Sequence, residues 1–132
     1  MKNKIPFLAL LFSCFLVFLL TGCQLKENYS MQYGFSSEIT TENRLQTKAD
    51  GLELEIPFAD FSCDVKNMKA ILDRQADNFT LIISGNETTN RCSETFSAEI
   101  SGIKPGTYWL KVIYQKADQD QQVLYQQFTV AK

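Results

Sequence analysis

Short runs in which apolar and polar residues alternate fill most of the chain after residue 50. In GLELEIPF, Leu52, Leu54, Ile56 and Phe58 share one face while Glu53 and Glu55 share the other, the period of a strand buried on one side. Pro57 and the following Ala59-Asp60 are expected to stop that strand. Residues 64 to 75 fit two patterns: Val65, Met68, Ile71 and Leu72 at helical spacing, or Met68, Ala70 and Leu72 on a strand face. The turn residues Ala76-Asp77-Asn78 and the β-rich FTLIISG after them favour a two-stranded hairpin. GNETTNRC reads as a loop, and TFSAEIS as a strand with Phe96, Ala98 and Ile100 on one face. GIKPGTYWLKVIY is a turn feeding a strand, and VLYQQFTV closes the series. Short strands separated by turns predict an all-β fold, a single antiparallel sandwich of about six to seven strands over residues 50 to 132.

The last hairpin carries a second prediction. Tyr108, Leu110, Val112 and Tyr114 must face inward, as must Leu124, Phe128 and Val130. Both sets share a face only where the numbers of paired residues add to an even total. A loop from Ala117 to Gln121 gives such a register, with Leu110 opposite Phe128 and Tyr114 opposite Leu124. Trp109, Ile113, Val123 and Tyr125 then project from the outer face, Ile113 facing Tyr125. Large apolar groups there need a cover or a partner. Tyr29, Met31, Tyr33 and Phe35 alternate with polar or small residues, as a paired strand or as an arm able to lie across that face. Uncovered, Trp109, Lys111, Ile113, Val123 and Tyr125 make a candidate protein-binding patch, with Lys111 and Gln127 supplying a polar rim.

The start of the chain differs. Lys2 and Lys4 precede a run from Ile5 to Leu20 that is almost wholly apolar, and no acid occurs before Glu27. This is a basic n-region followed by an h-region slightly short for a membrane span. It ends in Leu20-Thr21-Gly22-Cys23, which resembles the lipobox of bacterial lipoproteins. The resemblance implies that residues 1 to 22 are a signal peptide, that Cys23 becomes the lipidated first residue, and that the protein is anchored in the cell envelope, at the cell membrane or outer membrane of a bacterium. Residues 23 to 49, polar apart from the 29 to 35 segment, then read as a tether. Of four cysteines, Cys14 leaves with the signal peptide and Cys23 takes lipid, so Cys63 and Cys92 are expected to pair in an oxidising compartment. Processing leaves 11 basic against 15 acidic side chains, a net charge of −4, which argues against a nucleic-acid partner.

Ile103-Lys104-Pro105-Gly106-Thr107-Tyr108 resembles the turn entering a late strand of immunoglobulin-like and fibronectin-type-III-like domains. That likeness, extending loosely from residue 50 to 130, implies an immunoglobulin-like sandwich in which the Tyr108 hydroxyl returns to upstream backbone. Trp109 follows both cysteines instead of lying between them, so antibody domains are not the pattern. For catalysis the chain offers no histidine and no phosphate loop. Glu53 and Glu55 fall on a solvated face, and Asp118 and Asp120 are too few oxygens for calcium. The expectation is a non-enzymatic lipoprotein without cofactor or metal, held to the membrane through Cys23 and binding an envelope protein. The alternative is an inhibitor of a hydrolase such as lysozyme, since Phe61-Ser62-Cys63-Asp64 resembles an early cysteine motif of small lysozyme inhibitors.

Overall fold

The computed structural model describes residues 28 to 132. Cys23 and the lipobox lie outside them. Eight strands follow in order: β1 Ser30–Ser36, β2 Arg44–Lys48, β3 Gly51–Ser62, β4 Lys69–Gln75, β5 Asn78–Ser84, β6 Arg91–Ser101, β7 Gly106–Gln115 and β8 Asp120–Val130. One 3₁₀ turn, Val65–Asn67, precedes β4. The strands form two four-stranded sheets, β1-β6-β3-β2 (sheet I) and β4-β5-β7-β8 (sheet II). The all-β sandwich is thus as expected, with more strands than six or seven.

The period of two explains the core. Leu52, Leu54 and Ile56 of β3 are buried opposite Ile100, Ala98 and Phe96 of β6. In sheet II, Phe79, Leu81 and Ile83 are buried beside Leu110, Val112 and Tyr114. The two inner faces close on each other, as sandwich packing requires. At one end Phe58, Phe61 and Tyr114 cluster, with Phe61 stacked on Tyr114 at 4.8 Å. At the other, Phe79 and Tyr108 meet edge to face at 5.5 Å and Phe128 joins them. The Tyr108 hydroxyl donates to the Lys104 carbonyl at 2.9 Å, the corner that the turn motif implied. Gly102 supplies the positive φ of 82° that the turn before it needs.

Several elements depart from the sequence reading. The 29 to 35 segment takes the first of its two expected forms, a paired strand, whereas residues 44 to 48, read as tether, are β2 of sheet I. β2 shows little period, since Leu45 is its only partly buried residue. Cross-strand charge holds it instead: Lys48 pairs with Glu53, and Arg44 lies 3.5 Å from Glu55. β3 continues through Pro57, which sits beyond the last β2 pair, Arg44↔Glu55, where one side of the strand is open and a missing N–H is tolerated. A bulge between Phe58 and Phe61 absorbs Ala59-Asp60.

Not every pair is antiparallel: β5 runs parallel to β7. In immunoglobulin-like sandwiches the first strand of the corresponding hairpin lies next to β7's counterpart. Here the second does, and β4 moves to the edge. The inner faces are consistent with the exchange: β5 buries Phe79, Leu81 and Ile83 there, whereas β4 brings the small Ala70, the partly buried Leu72 and Arg74, and the strand with the larger apolar face takes the interior position.

The disulfide joins Cys63, one residue beyond β3, to Cys92 of β6, with Cα atoms 5.1 Å apart. It therefore links neighbouring strands of sheet I instead of bridging the sheets. The chain between them is the excursion that builds the β4–β5 hairpin in sheet II, and closing such a loop stabilises the fold by roughly 3 to 4 kcal/mol.

That hairpin turns through Ala76-Asp77, and Ala76 is the one non-glycine with positive φ, 52°, among the described residues. The left-handed conformation costs a residue with a Cβ about 1–2 kcal/mol, and glycine's extra freedom in the unfolded chain returns about 0.4–1 of that. Ala76→Gly is accordingly predicted to raise stability by about 0.5–1 kcal/mol, measured by urea denaturation; a less stable variant contradicts the strained turn.

Candidate protein-binding face

Outward residues of sheet II come from the same alternation that fills its core. On β7, Trp109, Lys111 and Ile113 stand opposite the buried Tyr108, Leu110, Val112 and Tyr114. On β8, Tyr125 stands outward while Phe128 and Val130 are buried. Trp109 and Tyr125 stack with ring centroids 4.9 Å apart and planes 14° from parallel. The pair remains 37% and 55% exposed, far above the core aromatics.

The β7–β8 register differs from the expected one. Tyr108 faces Phe128 and Val112 faces Leu124, so the pairing is shifted by two residues, and Lys111, not Ile113, faces Tyr125. The parity of the pairing survives this shift, which is why the inward sets were still identified. Beyond Val112 the register slips again, leaving Val123 as the extra residue of a bulge. Val123 is partly buried and packs against the core with Leu124, so it leaves the outer face.

The bulge removes one apolar group and the neighbouring strands add two. Ile71 of β4 pairs with Ile82 of β5, and Ile82 pairs with Ile113 of β7, a row of isoleucines across three strands. Ile71 is 59% exposed. Neither Ile71 nor Ile82 figured in the sequence reading of this face. Ile82 was visible in FTLIISG, where it falls between Leu81 and Ile83 and must point away from them. The next row reads Asp73, Thr80, Lys111 and Tyr125.

The N-terminal arm does not cover this surface. β1 pairs with β6 at the edge of sheet I, and Tyr29, Met31 and Phe35 pack against the core. Tyr29 meets Phe79 edge to face at 5.7 Å.

Sheet I has a different outer face. A trough of about 350 Å³ is lined there by Gln32, Tyr33, Arg44, Glu53, Glu55 and Glu99, among others. Lys48 bridges Glu53 and Glu99, the latter at 3.0 Å, and these two carboxylates hold its ammonium pKa above the usual value. Glu53 and Glu55 therefore sit in a hydrated, cross-paired setting. Among the described residues no cluster of three or more His, Cys, Asp or Glu is arranged to hold a metal ion.

A polar brace closes the disulfide end. The buried Tyr114 hydroxyl donates to Glu87 at 2.5 Å, accepts from the Ser62 backbone N–H at 3.2 Å and accepts from Arg91 at 3.3 Å. Arg91 also bonds Asp60 at 2.6 Å and Glu87, and Lys116 reaches Asp60 at 3.0 Å. Arg91 and Lys116 lower the Asp60 pKa, and Asn86 with Asn67 does the same for Asp64. These contacts join β3, the loop after β5, β6 and β7, so the brace is structural in form.

No protein-family model, no curated protein and no solved structure matches the chain. Fold and site together define an eight-stranded all-β sandwich with an in-sheet disulfide and one apolar outer face.

Burial, then the bond to Glu87, raises the Tyr114 pKa above its ordinary 10.0. The native state thus keeps this proton more tightly than the unfolded chain does. The resulting stability is complete below about pH 10 and is lost as pH rises through the raised native value. Tyr114→Phe is predicted to cost about 1–3 kcal/mol at neutral pH, because the Ser62 N–H and Glu87 lose a buried partner. Its stability should also decline less steeply than wild type above pH 10, as read by denaturant titration across that range.

Proposed function

We propose that this chain is an exported lipoprotein, fastened to a membrane surface through Cys23, whose sandwich binds another envelope protein through the outer face of sheet II. The single observation carrying the binding half is the stacked Trp109–Tyr125 pair left exposed beside Ile113, Ile82 and Ile71. Aromatic groups at the centre with Lys111 and Gln127 around them have the make-up of an interface core and rim. Support for the anchoring half is the n-region, h-region and Leu20-Thr21-Gly22-Cys23 box. The Cys63–Cys92 bond is compatible with an oxidising compartment, and no helix among the described residues is long and apolar enough to cross a membrane.

The fold sharpens this reading. With β1 starting at Ser30, the chain between Cys23 and the sandwich reaches at most about 25 Å, far less than a tether running to residue 49. A lipidated Cys23 would keep the domain close to the bilayer, where its partner is sought.

Intact-mass spectrometry of the membrane-extracted chain is expected to show a polypeptide beginning at Cys23 and carrying lipid; an unmodified chain beginning at Met1 would end the anchoring proposal. For the binding half, the double variant Trp109→Ser, Tyr125→Ser should still fold cooperatively, losing the stack's about 0.5–1.5 kcal/mol together with the burial of two partly covered rings, while proteins co-purifying with wild type from solubilised membranes are lost. A variant that no longer unfolds cooperatively, or unchanged co-purification, counts against the face. Undiminished lysozyme activity at excess protein removes the inhibitor alternative.

A further inference from the structure

A strand at the edge of a sheet leaves one row of backbone groups unpaired. β4 is the edge of sheet II remote from β8. Which of its residues face outward follows from one bond: Trp109 N–H donates to the Asp77 carbonyl at 2.9 Å. In the parallel ladder that this bond begins, odd-numbered residues of β5 turn their backbone groups to β7, and Asn78, Thr80, Ile82 and Ser84 turn theirs to β4. Their partners Gln75, Asp73, Ile71 and Lys69 are therefore engaged with β5. The two-residue turn agrees, since such hairpins close on a hydrogen-bonded pair, here Gln75 with Asn78. Ala70 and Leu72 point their N–H and C=O groups to the open edge.

A strand added there must set outward-pointing residues against outward-pointing residues. For a second copy of β4 running antiparallel, the paired numbers then add to an even total. Placing Ala70 opposite Leu72 of the copy brings Ile71 opposite Ile71 and, on either side of the two-fold axis, Lys69 opposite Asp73. Sliding the copy by two residues in either direction sets Ile71 against Lys69 or against Asp73. Only the central register matches apolar to apolar and charge to opposite charge. Lys69 and Asp73 are exposed and form no ion pair among the described residues. The isoleucine row Ile71, Ile82, Ile113 would continue unbroken into the second copy.

We propose that β4 is a self-association edge, at which two copies join antiparallel with Ile71 on the two-fold axis and the two sheets II become one. Such an isologous contact is closed, so it stops at the dimer. The inference stands apart from partner binding at Trp109 and Tyr125, and its readouts are oligomeric state and crosslinking.

The test uses the full chain in mild detergent, by sedimentation equilibrium. Wild type is expected to dimerise, Lys69→Asp or Asp73→Lys alone to weaken the dimer about tenfold or more by facing like charges, and the double exchange Lys69→Asp, Asp73→Lys to restore it. Ile71→Cys should crosslink two copies on mild oxidation, because opposed Cα atoms of a non-hydrogen-bonded pair lie about 4.5 Å apart, within disulfide reach. Lys69→Cys should not crosslink beyond the wild-type background, since residue 69 faces 73. A wild-type chain that stays monomeric at every concentration, a dimer that the double exchange does not recover, or one that Ile71→Cys does not crosslink overturns the proposal. Should a charge variant misfold, the Ile71→Cys crosslink decides alone.

Discussion

Because β3 and β6 pair from Gly51↔Ser101 to Ser62↔Arg91, the two longest apolar faces of sheet I are locked in one register, on which the placement of the other strands depends. The close approach at one end is absolute: a Cβ on Gly51 would lie 1.8 Å from the Ile100 carbonyl oxygen. At the other end the Cys63–Cys92 bond prevents the strands from fraying. β1 pairs beside β6 and β2 beside β3, one on each side of this central pair. The β4–β5 hairpin leaves and re-enters sheet I at the two bonded cysteines, so its placement in sheet II inherits the same constraint.

The ends of the sandwich are sealed by different chemistry. Near the Gly102–Pro105 turn the Tyr108 hydroxyl satisfies a turn carbonyl, and the Ile103 N–H reaches the Asp50 carbonyl at 2.8 Å. Near the disulfide, the Tyr114 hydroxyl gathers a backbone amide, a carboxylate and a guanidinium at one buried point. Both tyrosines belong to β7 and flank Leu110 and Val112 on its inner face. β7 is thus held at both ends, and Trp109, Lys111 and Ile113 are displayed from a strand with little freedom to move. A face built this way would lose little conformational entropy on being covered by a partner.

What the sequence made legible was whatever burial on one face enforces. Leu52 to Phe58, Phe96 to Ile100 and Tyr108 to Tyr114 announced themselves because a one-residue slip would expose the entire set. β2 did not, since Arg44 and Lys48 pair with carboxylates on the neighbouring strand and Gln46 is exposed, which leaves no apolar period. The parallel β5–β7 pair was hidden for another reason: strand order depends on competition between β4 and β5 for one neighbour, which no local pattern records. For the candidate face, Trp109, Lys111, Ile113 and Tyr125 were readable from parity alone. Val123 was misplaced because parity fails beyond a bulge, and Ile71 and Ile82 entered only once three strands were aligned.

The two outer faces of the sandwich argue for unequal roles. Sheet I presents Glu53, Glu55 and Glu99 cross-paired with Lys48 and Arg44, a charged finish that water solvates readily. Scattered apolar residues on the other face would also mean little, since folded proteins expose many. But Ile71, Ile82 and Ile113 are direct cross-strand neighbours, and Tyr125 is opposite Lys111 in the adjacent row with Trp109 stacked on it. Contiguity sets this band apart from such scattered residues. On the two proposals, an apolar band running from the edge at β4 to the aromatic pair at β7 and β8 would meet a second copy at one end and a different protein at the other, so neither contact would exclude the other.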